Sequence, residues 1–385
     1  MKIVYPNYKN SIVNLSSTIL EAYDIKSNHS PLKQINISEL KKKKNIILMI
    51  YDGLGYNMLK NYGKSEKSIL CSNIIDRITS VFPSTTSTAI TSILSNLTPL
   101  EHGVLGWSLF FKELSRVVDV LPWRDSFTGD IINSNMNFQS FFKFESIFDK
   151  LQKVENLKTY YILPNDLSSN SFSKNMAANA DIVSSKSESI IKQIEKIVSK
   201  DSSRKFIFVY NNMPDSFLHY KGSDSIDLYE FLKEEDESLS SFTENLMGSD
   251  TSLIISSDHG MVDIKKRFEV NIFDKLYDSL LLPPFPEKRF LSLFVKDENI
   301  DIFFEEFDRI KDDFILLDKK SFLKDKLLGT GIPHKKINDF LGNYFLIAKS
   351  DGILDFTIRG NCSFVSAHAG ICDDEMNVPL IQINI

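Results

Sequence analysis

The chain has 385 residues, of which 42% are hydrophobic, enough for a large folded core, and its formal net charge of −6 with dispersed Lys and Arg residues argues against nucleic acid as a partner. Three cysteines, Cys71, Cys362 and Cys372, are too few and too scattered for a disulfide framework, which favours a reducing cytoplasm. No stretch reaches the ~20 apolar residues of a membrane span, so we expect neither export nor a membrane partner, and the oligomeric state is left open.

The first elements alternate between helical and strand patterns. Apolar residues at helical spacing predict a helix over 12–20, and the near-continuous apolar run 45–51 predicts a strand that is buried on both faces. This run ends in Asp52 and Gly53, and the ligand sites of open α/β sheets form at the carboxyl ends of strands. Asp52 is therefore a candidate ligand, although capping of a helix explains it equally well.

Hydroxyl side chains are concentrated just after Pro83. The helical spacing of the apolar residues from position 90 onward predicts a helix that begins at about Thr86. The simplest interpretation is N-capping, for which Ser and Thr are preferred. Because free N–H groups at a helix start attract anions, a hydroxyl here is also well placed to attack a phosphorus centre. On chemistry alone the candidates are equivalent: Ser84, Thr85, Thr86, Ser87 and Thr88.

A pair of candidate metal ligands follows the next strands. A strand is predicted over 159–163, a helix over 190–198 and a buried strand over 205–210. The last of these leads to Asp215 and His219, which are four residues apart. On a helical turn this spacing places both side chains on one face, which suits two ligands of one metal ion.

A second acid–histidine pair follows a long helix predicted over 226–246. The buried strand predicted over 252–257 ends in Asp258 and His259. Consecutive residues of a strand point to opposite faces, so both can serve one site only if the chain has already turned into a loop, which Gly260 favours.

The alternation of strands and helices predicts a mostly parallel sheet with helices on both sides. Between 265 and 345 this pattern changes to short strands and helices in closer succession. We predict strands over 290–295 and 314–317 and helices over 300–310 and 321–328. This segment is interpreted as a small α+β cap, 265–345, inserted into a catalytic α/β core of 1–264 and 346–385, because the chain returns to the main pattern at 344–348.

Each polar candidate comes just after a buried strand or at a helix start, so all are expected to meet at one edge of one sheet: Asp52, Thr86, Asp215, His219, Asp258, His259 and His368. Three acids and three imidazoles are too many for one tetrahedral ion but suit two ions. Mixed oxygen and nitrogen ligands favour Zn²⁺, with Mn²⁺ or Fe²⁺ as alternatives. Two ions ~4 Å apart polarise a phosphoryl oxygen and lower the pKa of a hydroxyl.

These residues occur in motifs that resemble the alkaline phosphatase superfamily and, within it, the type I phosphodiesterase/nucleotide pyrophosphatase family. The motifs stand in the family's order and cover most of the chain outside the proposed cap: Asp52-Gly53, 82–86, 99–103, Asp215 with His219 and Gly222, 257–261, His368 with Gly370, and 375–380.

The resemblance implies an alkaline-phosphatase-like three-layer α/β/α sandwich and a hydrolase of phosphodiester or pyrophosphate bonds in small molecules or nucleotides. It also implies that Thr86 is the nucleophile of a double displacement through a threonine-linked intermediate, with a metal-activated water completing the reaction. The implied metal sites are Asp215, His219 and His368 for one ion, and Asp52, Asp258 and His259 for the other, with Thr86 bridging toward both ions.

Trp107 departs from this pattern. Nucleotide pyrophosphatases of the eukaryotic type usually carry an asparagine at this offset from the nucleophile, where it contacts a phosphoryl oxygen. We expect Trp107 to form a wall of the substrate pocket and Trp123 to belong to the core. His102 and His334 are expected to be structural or to support the site from behind, not to bind metal.

The distribution of arginine around the proposed nucleophile indicates the class of substrate. A phosphomonoester dianion is commonly bound by a guanidinium, yet no arginine occurs between Arg77 and Arg116 around the proposed nucleophile. This favours diesters or pyrophosphates, unless Arg267 or Arg289 of the cap reaches the site. The alternatives are a phosphomonoesterase, phosphonate hydrolase or mutase on the same scaffold, or a binding protein without activity.

Overall fold

The structure is a computed structural model that describes residues 1–132, 135–185, 190–271, 274–356 and 363–385. Of the cysteines, Cys362 lies outside the described residues, while Cys71 and Cys372 are free thiols. Among the helices of these ranges, none combines the length and the apolar composition of a membrane-spanning segment.

The strands are numbered in chain order. They are β1 (Asn45–Asp52), β2 (Ile74–Thr79), β3 (Ser108–Phe111), β4 (Arg116–Asp119), β5 (Arg124–Asp125), β6 (Leu157–Pro164), β7 (Asp181–Ser185), β8 (Arg204–Pro214), β9 (Thr251–Ser257), β10 (Val262–Asp263), β11 (Lys266–Glu269), β12 (Phe285–Pro286), β13 (Phe290–Leu293), β14 (Phe314–Asp318), β15 (Tyr344–Ala348), β16 (Gly352–Asp355), β17 (Ser366–Ala367) and β18 (Asn377–Asn384).

The helices are numbered in the same way. They are α1 (Ile12–Ala22), α2 (Ile37–Lys42), α3 (Tyr56–Tyr62), α4 (Ile69–Ser72), α5 (Thr86–Ser95), α6 (Pro99–His102), α7 (Phe138–Phe141), α8 (Ile147–Leu151), α9 (Asn165–Ser168), α10 (Ser171–Ala177), α11 (Ile190–Ser199), α12 (Asp215–Lys221), α13 (Ile226–Asn245), α14 (Lys275–Asp278), α15 (Ile300–Asp308), α16 (Lys319–Lys324), α17 (Ile337–Phe340) and α18 (Asp373–Met376).

The largest sheet of the described residues has seven strands in the order β2-β18-β9-β1-β8-β6-β7. β1 pairs in parallel with β8 and β9, and β6 pairs in parallel with β7 and β8. Only β18 runs against its neighbours β2 and β9. The prediction of a mostly parallel α/β sheet is confirmed.

β1 is the central strand of the sheet, and every residue along it is buried. Its alternate residues enter two different cores: Ile46, Leu48 and Ile50 pack with α1 and α5, whereas Ile47 and Met49 pack with α11 and α13. Since successive side chains of a strand point to opposite faces, a continuously apolar strand needs a helical layer on each side. The result is the predicted three-layer α/β/α arrangement.

The strand pairing brings the predicted site residues to one edge. Asp52 stands beside Pro214, and Tyr51 stands beside Ser257, so the ends of β1, β8 and β9 lie next to one another. β18 runs the other way and begins at this edge, where Asn377 pairs with Thr79. Consequently the segments that carry Thr86 and His368 also meet there.

Most of a second, four-stranded sheet, β12-β13-β15-β14, comes from the predicted cap of 265–345, here called the inserted segment, and the sheet packs over apolar residues of α14 and α15. One expectation about it is wrong: Tyr344–Ala348 does not return to the main sheet, since β15 pairs with β13 and β14. The helix predicted over 321–328 also differs, because α16 ends at Lys324, shortly before Lys326 adopts a positive φ of 54°. The division into core and cap stays a prediction.

Candidate active site

Thr86 is the first residue of α5, and the helix is preceded by Thr85 as its N-cap residue. The Thr86 side chain does not cap the helix. Its Oγ1 atom lies 3.3 Å from Oδ1 of Asp52 and 3.1 Å from Nε2 of His259. The hydroxyl therefore faces the acids at the sheet edge, with the free N–H groups of the first helical turn beside it.

The neighbouring hydroxyls are engaged or enclosed. The Ser84 hydroxyl donates to the carbonyl of Gly370 at 3.1 Å, and that of Thr85 donates to Oε1 of Glu287 at 2.8 Å. The side chains of Ser87 and Thr88 are fully buried and have no hydrogen-bond partner among the described residues. Of the candidate hydroxyl residues, only Thr86 is not buried.

Asp52 and Asp258 form the most buried part of the site. Oδ2 of Asp52 accepts a hydrogen bond from the Tyr210 hydroxyl, and Oδ1 of Asp258 accepts from the N–H groups of Gly53 at 3.1 Å and His259 at 2.9 Å. Burial, followed by the charge of a nearby carboxylate, raises the pKa of both acids. Against the effect of its burial, the carboxylates of Asp258 and Asp52 raise the pKa of His259 to about 10.

Asp215 begins α12, next to the end of β1. Gly53 permits this approach: its φ is +77°, and a Cβ there would lie 2.9 Å from Cβ of Asp215. Nε2 of His219 lies 3.4 Å from Oδ2 of Asp215, and Nε2 of His368 lies 3.8 Å from its Oδ1. The i, i+4 spacing on a helical turn thus brings Asp215 and His219 together, and the loop before β18 supplies His368.

The three site histidines share one arrangement. Nδ1 of His219 lies 2.9 Å from the Ser366 carbonyl, Nδ1 of His259 lies 2.9 Å from the Gly260 carbonyl, and Nδ1 of His368 lies 3.2 Å from the Ser84 carbonyl. A carbonyl at Nδ1 fixes the tautomer with the proton on that nitrogen, so Nε2 is left as a ligand atom. In each ring, Nε2 faces a site carboxylate.

The donor set fits divalent cations. Asp52, Asp258 and His259 each offer an atom within 4.8 Å of the others, and so do Asp215, His259 and His368. Oδ2 of Asp258 and Oδ1 of Asp215 are buried without a hydrogen-bond partner among the described residues, as expected of carboxylate oxygens that serve as metal ligands. His259 belongs to both groups. His219 belongs to neither, but its Nε2 atom lies beside the carboxylate of Asp215, a member of the second group.

Two cavities, of about 450 and 410 Å³, share Thr86, Trp107 and Asp215 in their walls. The first extends toward the inserted segment, where Glu287 lines it, and Phe364, just before β17, forms another part of its wall. The second extends over the ends of β6 and β8. Trp107 is 36% exposed and lines both cavities, while Trp123 is buried in the core as predicted.

Glu287 was not among the predicted site residues. It lies between β12 and β13, and burial raises its pKa to about 7. Oε1 accepts hydrogen bonds from the Thr85 hydroxyl at 2.8 Å and from the backbone N–H of Trp107 at 2.7 Å. It follows two apolar residues in a short proline-rich connection, so no periodicity or motif marks it in the sequence.

The arginines considered for the site are bound elsewhere. Arg289 is fully buried, and its guanidinium forms an ion pair with Glu375 at 2.8 Å, so the alternative in which this arginine reaches the substrate does not hold. Arg267 pairs with Asp355 at 2.9 Å and donates to the carbonyl of Phe364 at 2.7 Å. Neither cavity has an arginine in its described wall.

His102 and His334 lie apart from the acids. The buried His102 accepts the Val104 N–H at Nδ1 and bonds the Ser92 hydroxyl through Nε2, at 3.0 and 2.9 Å. Nε2 of His334 lies 3.2 Å from the Phe141 carbonyl. Both rings support turns, and neither is in the acid–histidine groups that could hold a cation.

The sequence profile described as type I phosphodiesterase / nucleotide pyrophosphatase matches residues 46–284, more than half of the chain. The chain belongs to this family. Membership of the type I phosphodiesterase family, within the alkaline phosphatase superfamily, makes the protein a hydrolase of phosphorus–oxygen bonds, and the family is metal-dependent. The matched range includes Asp52, Thr86, Asp215 and Asp258 but ends before His368.

Solved structures share the fold of this family member. Murine ectonucleotide pyrophosphatase/phosphodiesterase 5, in an inactive variant in complex with AMP, aligns with a TM-score of 0.63 at 15% identity over 87% of each chain. Phosphonoacetate hydrolase from Sinorhizobium meliloti 1021, in complex with phosphonoformate, aligns with a TM-score of 0.61 at 14% identity over 87% of this chain and 89% of that one. No curated protein matches the sequence.

Proposed function

We propose that the protein is a phosphodiesterase or nucleotide pyrophosphatase in which Thr86 attacks phosphorus at a site for two divalent cations. The observation that carries this proposal is the position of Oγ1 of Thr86. It lies at the start of α5, 3.3 Å from Asp52 and 3.1 Å from His259, where two groups of acids and imidazoles meet. A hydroxyl that only caps its helix needs no such surroundings.

The cations are assigned to two ligand sets, Asp52 with Asp258 and His259, and Asp215 with His219 and His368. The oxygen and imidazole donors suit Zn²⁺, with Mn²⁺ or Fe²⁺ as alternatives. When bound, the ions supply Lewis acidity to a phosphoryl oxygen and favour the ionised form of a hydroxyl. The free cysteines Cys71 and Cys372 favour a cytoplasmic setting for this activity.

The residues of the chain account for the rest of the first step. Oγ1 of Thr86, which would already have given up its proton to solvent when the cations are bound, forms a bond to phosphorus, and the bond to the leaving oxygen breaks with its electron pair on that oxygen. The N–H groups of the first turn of α5 stabilise the negative phosphoryl oxygens. In the second step water cleaves the phosphothreonine ester and regenerates the Thr86 hydroxyl.

A diester or pyrophosphate is the substrate class that the cavities support. Two cavities meet at Thr86, so a phosphoryl group there has room for a substituent on each side. The burial of Arg289 against Glu375 removes a guanidinium that a monoester dianion would use. The AMP complex of the murine neighbour supports a nucleotide as one of the substituents.

A substrate panel on Thr86→Ala and wild-type protein tests the proposal. Metal-stripped protein is supplied with Zn²⁺, Mn²⁺ or Mg²⁺ and assayed on bis-p-nitrophenyl phosphate, p-nitrophenyl phosphate, a dinucleotide polyphosphate and phosphonoacetate. We expect hydrolysis of the diester and the pyrophosphate, a loss of at least ~10³-fold in Thr86→Ala, and unchanged metal content. Cleavage of phosphonoacetate alone, or full activity in Thr86→Ala, would refute the proposal.

A further inference from the structure

The inserted segment brings a carboxyl group, that of Glu287, to the first of the two cavities. Glu287 is held from two sides: Oε1 accepts from the Thr85 hydroxyl and from the Trp107 N–H. Behind it, the turn at Gly106 adopts a φ of +149°, and a Cβ there would lie 2.6 Å from the ring of Pro286. These contacts hold the Glu287 carboxyl group against Thr85, the residue that precedes the proposed nucleophile Thr86.

The other carboxyl oxygen is available to the cavity. Glu287 lines that cavity together with Thr86, and in the described part of the chain its Oε2 atom accepts no hydrogen bond. A carboxyl group whose Oε1 is fixed by two donors presents Oε2 to whatever occupies the cavity. Above its pKa of about 7, this group is an anion at the wall of the substrate site.

No lysine or arginine of the described residues pairs with this anion. Lys288 lines the same cavity, but its ammonium group binds Asp355 and lies 5.8 Å from the centre of the Phe356 ring. Arg267 binds the same Asp355, and Arg289 binds Glu375. The remaining charged or titratable groups of this wall, Asp215, His219 and His368, belong to the proposed metal sites.

We propose that Glu287 is a specificity-determining residue that disfavours a second negative charge on the phosphoryl group and so selects diesters over monoesters. This inference rests on the proposed function. A phosphomonoester loses its second proton near pH ~6 and is then a dianion, whereas a diester carries one charge. A like charge at the wall of a cavity that is partly shielded from water raises the energy of the dianion more than that of the monoanion.

The test compares two substitutions that separate charge from shape. Glu287→Gln keeps a carbonyl oxygen for Thr85 and Trp107 but removes the charge, and Glu287→Asp keeps the charge. At pH 8.5, with metal-loaded full-length protein, kcat/KM is measured for p-nitrophenyl phosphate and bis-p-nitrophenyl phosphate. For Glu287→Gln we expect the monoester-to-diester ratio to rise about 10-fold, while Glu287→Asp stays within about 3-fold of wild type.

Binding of inorganic phosphate by calorimetry gives a second measurement that does not need turnover. Glu287→Gln is expected to bind the phosphate dianion about 10-fold more tightly than wild type, a gain that a merely structural role cannot produce. If Glu287→Gln is unstable, Glu287→Ala serves as the neutral variant. An unchanged ratio together with unchanged phosphate affinity would overturn the inference.

The two proposals fail differently. If metal-loaded wild-type protein hydrolysed neither ester, the proposed function would be wrong, and the phosphate affinities of the variants would still test Glu287. If wild type hydrolysed the diester and the neutral variant kept the wild-type ratio, only the assignment of Glu287 would be wrong.

Discussion

The hydroxyl group of Tyr210 donates a hydrogen bond to Oδ2 of Asp52, while Oδ1 of the same carboxylate faces Thr86. Tyr210 is buried on β8, next to β1, so the strand pairing itself sets this contact. The hydrogen bond determines which oxygen of Asp52 is presented to the site. Tyr210 is thus a positioning residue, not a group that reacts.

Replacing this tyrosine should weaken metal binding. In Tyr210→Phe, Asp52 loses the donor that orients it, and removal of such a supporting group lowers metal affinity by about 10- to 100-fold. Competition with a chromogenic chelator measures the affinity. Tyr23→Phe removes another buried hydroxyl, bonded to the Lys205 carbonyl at 3.1 Å, and should leave metal affinity unchanged. Equal affinities in wild type and Tyr210→Phe would contradict this role.

Metal removal should expose the mutual repulsion of the buried acids. Chelation is expected to lower Tm, since a ligand at ~1,000 times its Kd stabilises the folded state by about 4 kcal/mol. In the metal-free protein, Asp258→Asn removes a buried carboxyl group beside Asp52 whose Oδ2 atom has no hydrogen-bond partner among the described residues, although Nε2 of His259 lies 3.6 Å from it. The variant should therefore have a higher Tm without metal than wild type, and a smaller gain on addition of Zn²⁺. A lower metal-free Tm would count against this interpretation.

The buried ion pair of Arg289 and Glu375 should matter for stability. Arg289→Met leaves the Glu375 carboxylate buried without its cationic partner, at a cost of about 3–5 kcal/mol in the free energy of unfolding. Adding Glu375→Gln should recover part of that loss, which a double-mutant cycle by urea denaturation measures. Lys311→Met breaks the exposed pair with Asp308 and should cost less than about 0.5 kcal/mol. Additive effects of the two buried substitutions would exclude the proposed coupling.

His102 should make the protein sensitive to acid. Burial, with a contribution from His334, lowers its pKa from 6.5 to about 3. Below pH 6.5 the unfolded chain binds a proton at His102 that the folded chain does not, so stability present above pH 6.5 is lost as the pH falls toward 3, by roughly 1.4 kcal/mol per unit. In His102→Gln, the free energy of unfolding should fall less steeply between pH 6.5 and 4.5. Parallel slopes for both proteins would argue against this origin.

The sequence predicted the acids at the strand ends better than the loop residues of the site and the pairing of the strands outside the main sheet. Asp52, Asp215 and Asp258 could be found because each follows an apolar strand, and parallel strands end at one edge. The assignment of His368, and the choice of Thr86 among its neighbouring hydroxyl residues, depended on family resemblance. Neither the loop that carries His368 nor the cluster of hydroxyl residues shows a periodicity that singles out one residue. Apolar patterning reports burial but not the partner strand, so Tyr344–Ala348 was recognised as a strand and assigned to the wrong sheet.

Charged residues that break the usual rule of exposure were the hardest to predict. Arg289 was considered only as an arginine that could reach the substrate, yet it lies in the interior with its donors satisfied by Glu375 and two carbonyl groups, although arginine is rarely buried. Glu287 was missed for the same reason. Whether a charge is buried depends on partners that are distant in sequence, and a single sequence does not show them.

The Arg289–Glu375 pair also joins the inserted segment to the turn that follows His368. The Glu375 carboxylate accepts the N–H groups of Gly370 and Cys372, each at 2.8 Å, besides the Arg289 guanidinium. A chimaera whose grafted insertion carried no arginine at this position would leave the Glu375 carboxylate, which holds this turn, without its cationic partner. A grafted insertion must therefore keep an arginine in place of Arg289 if it is to alter substrate choice without displacing His368.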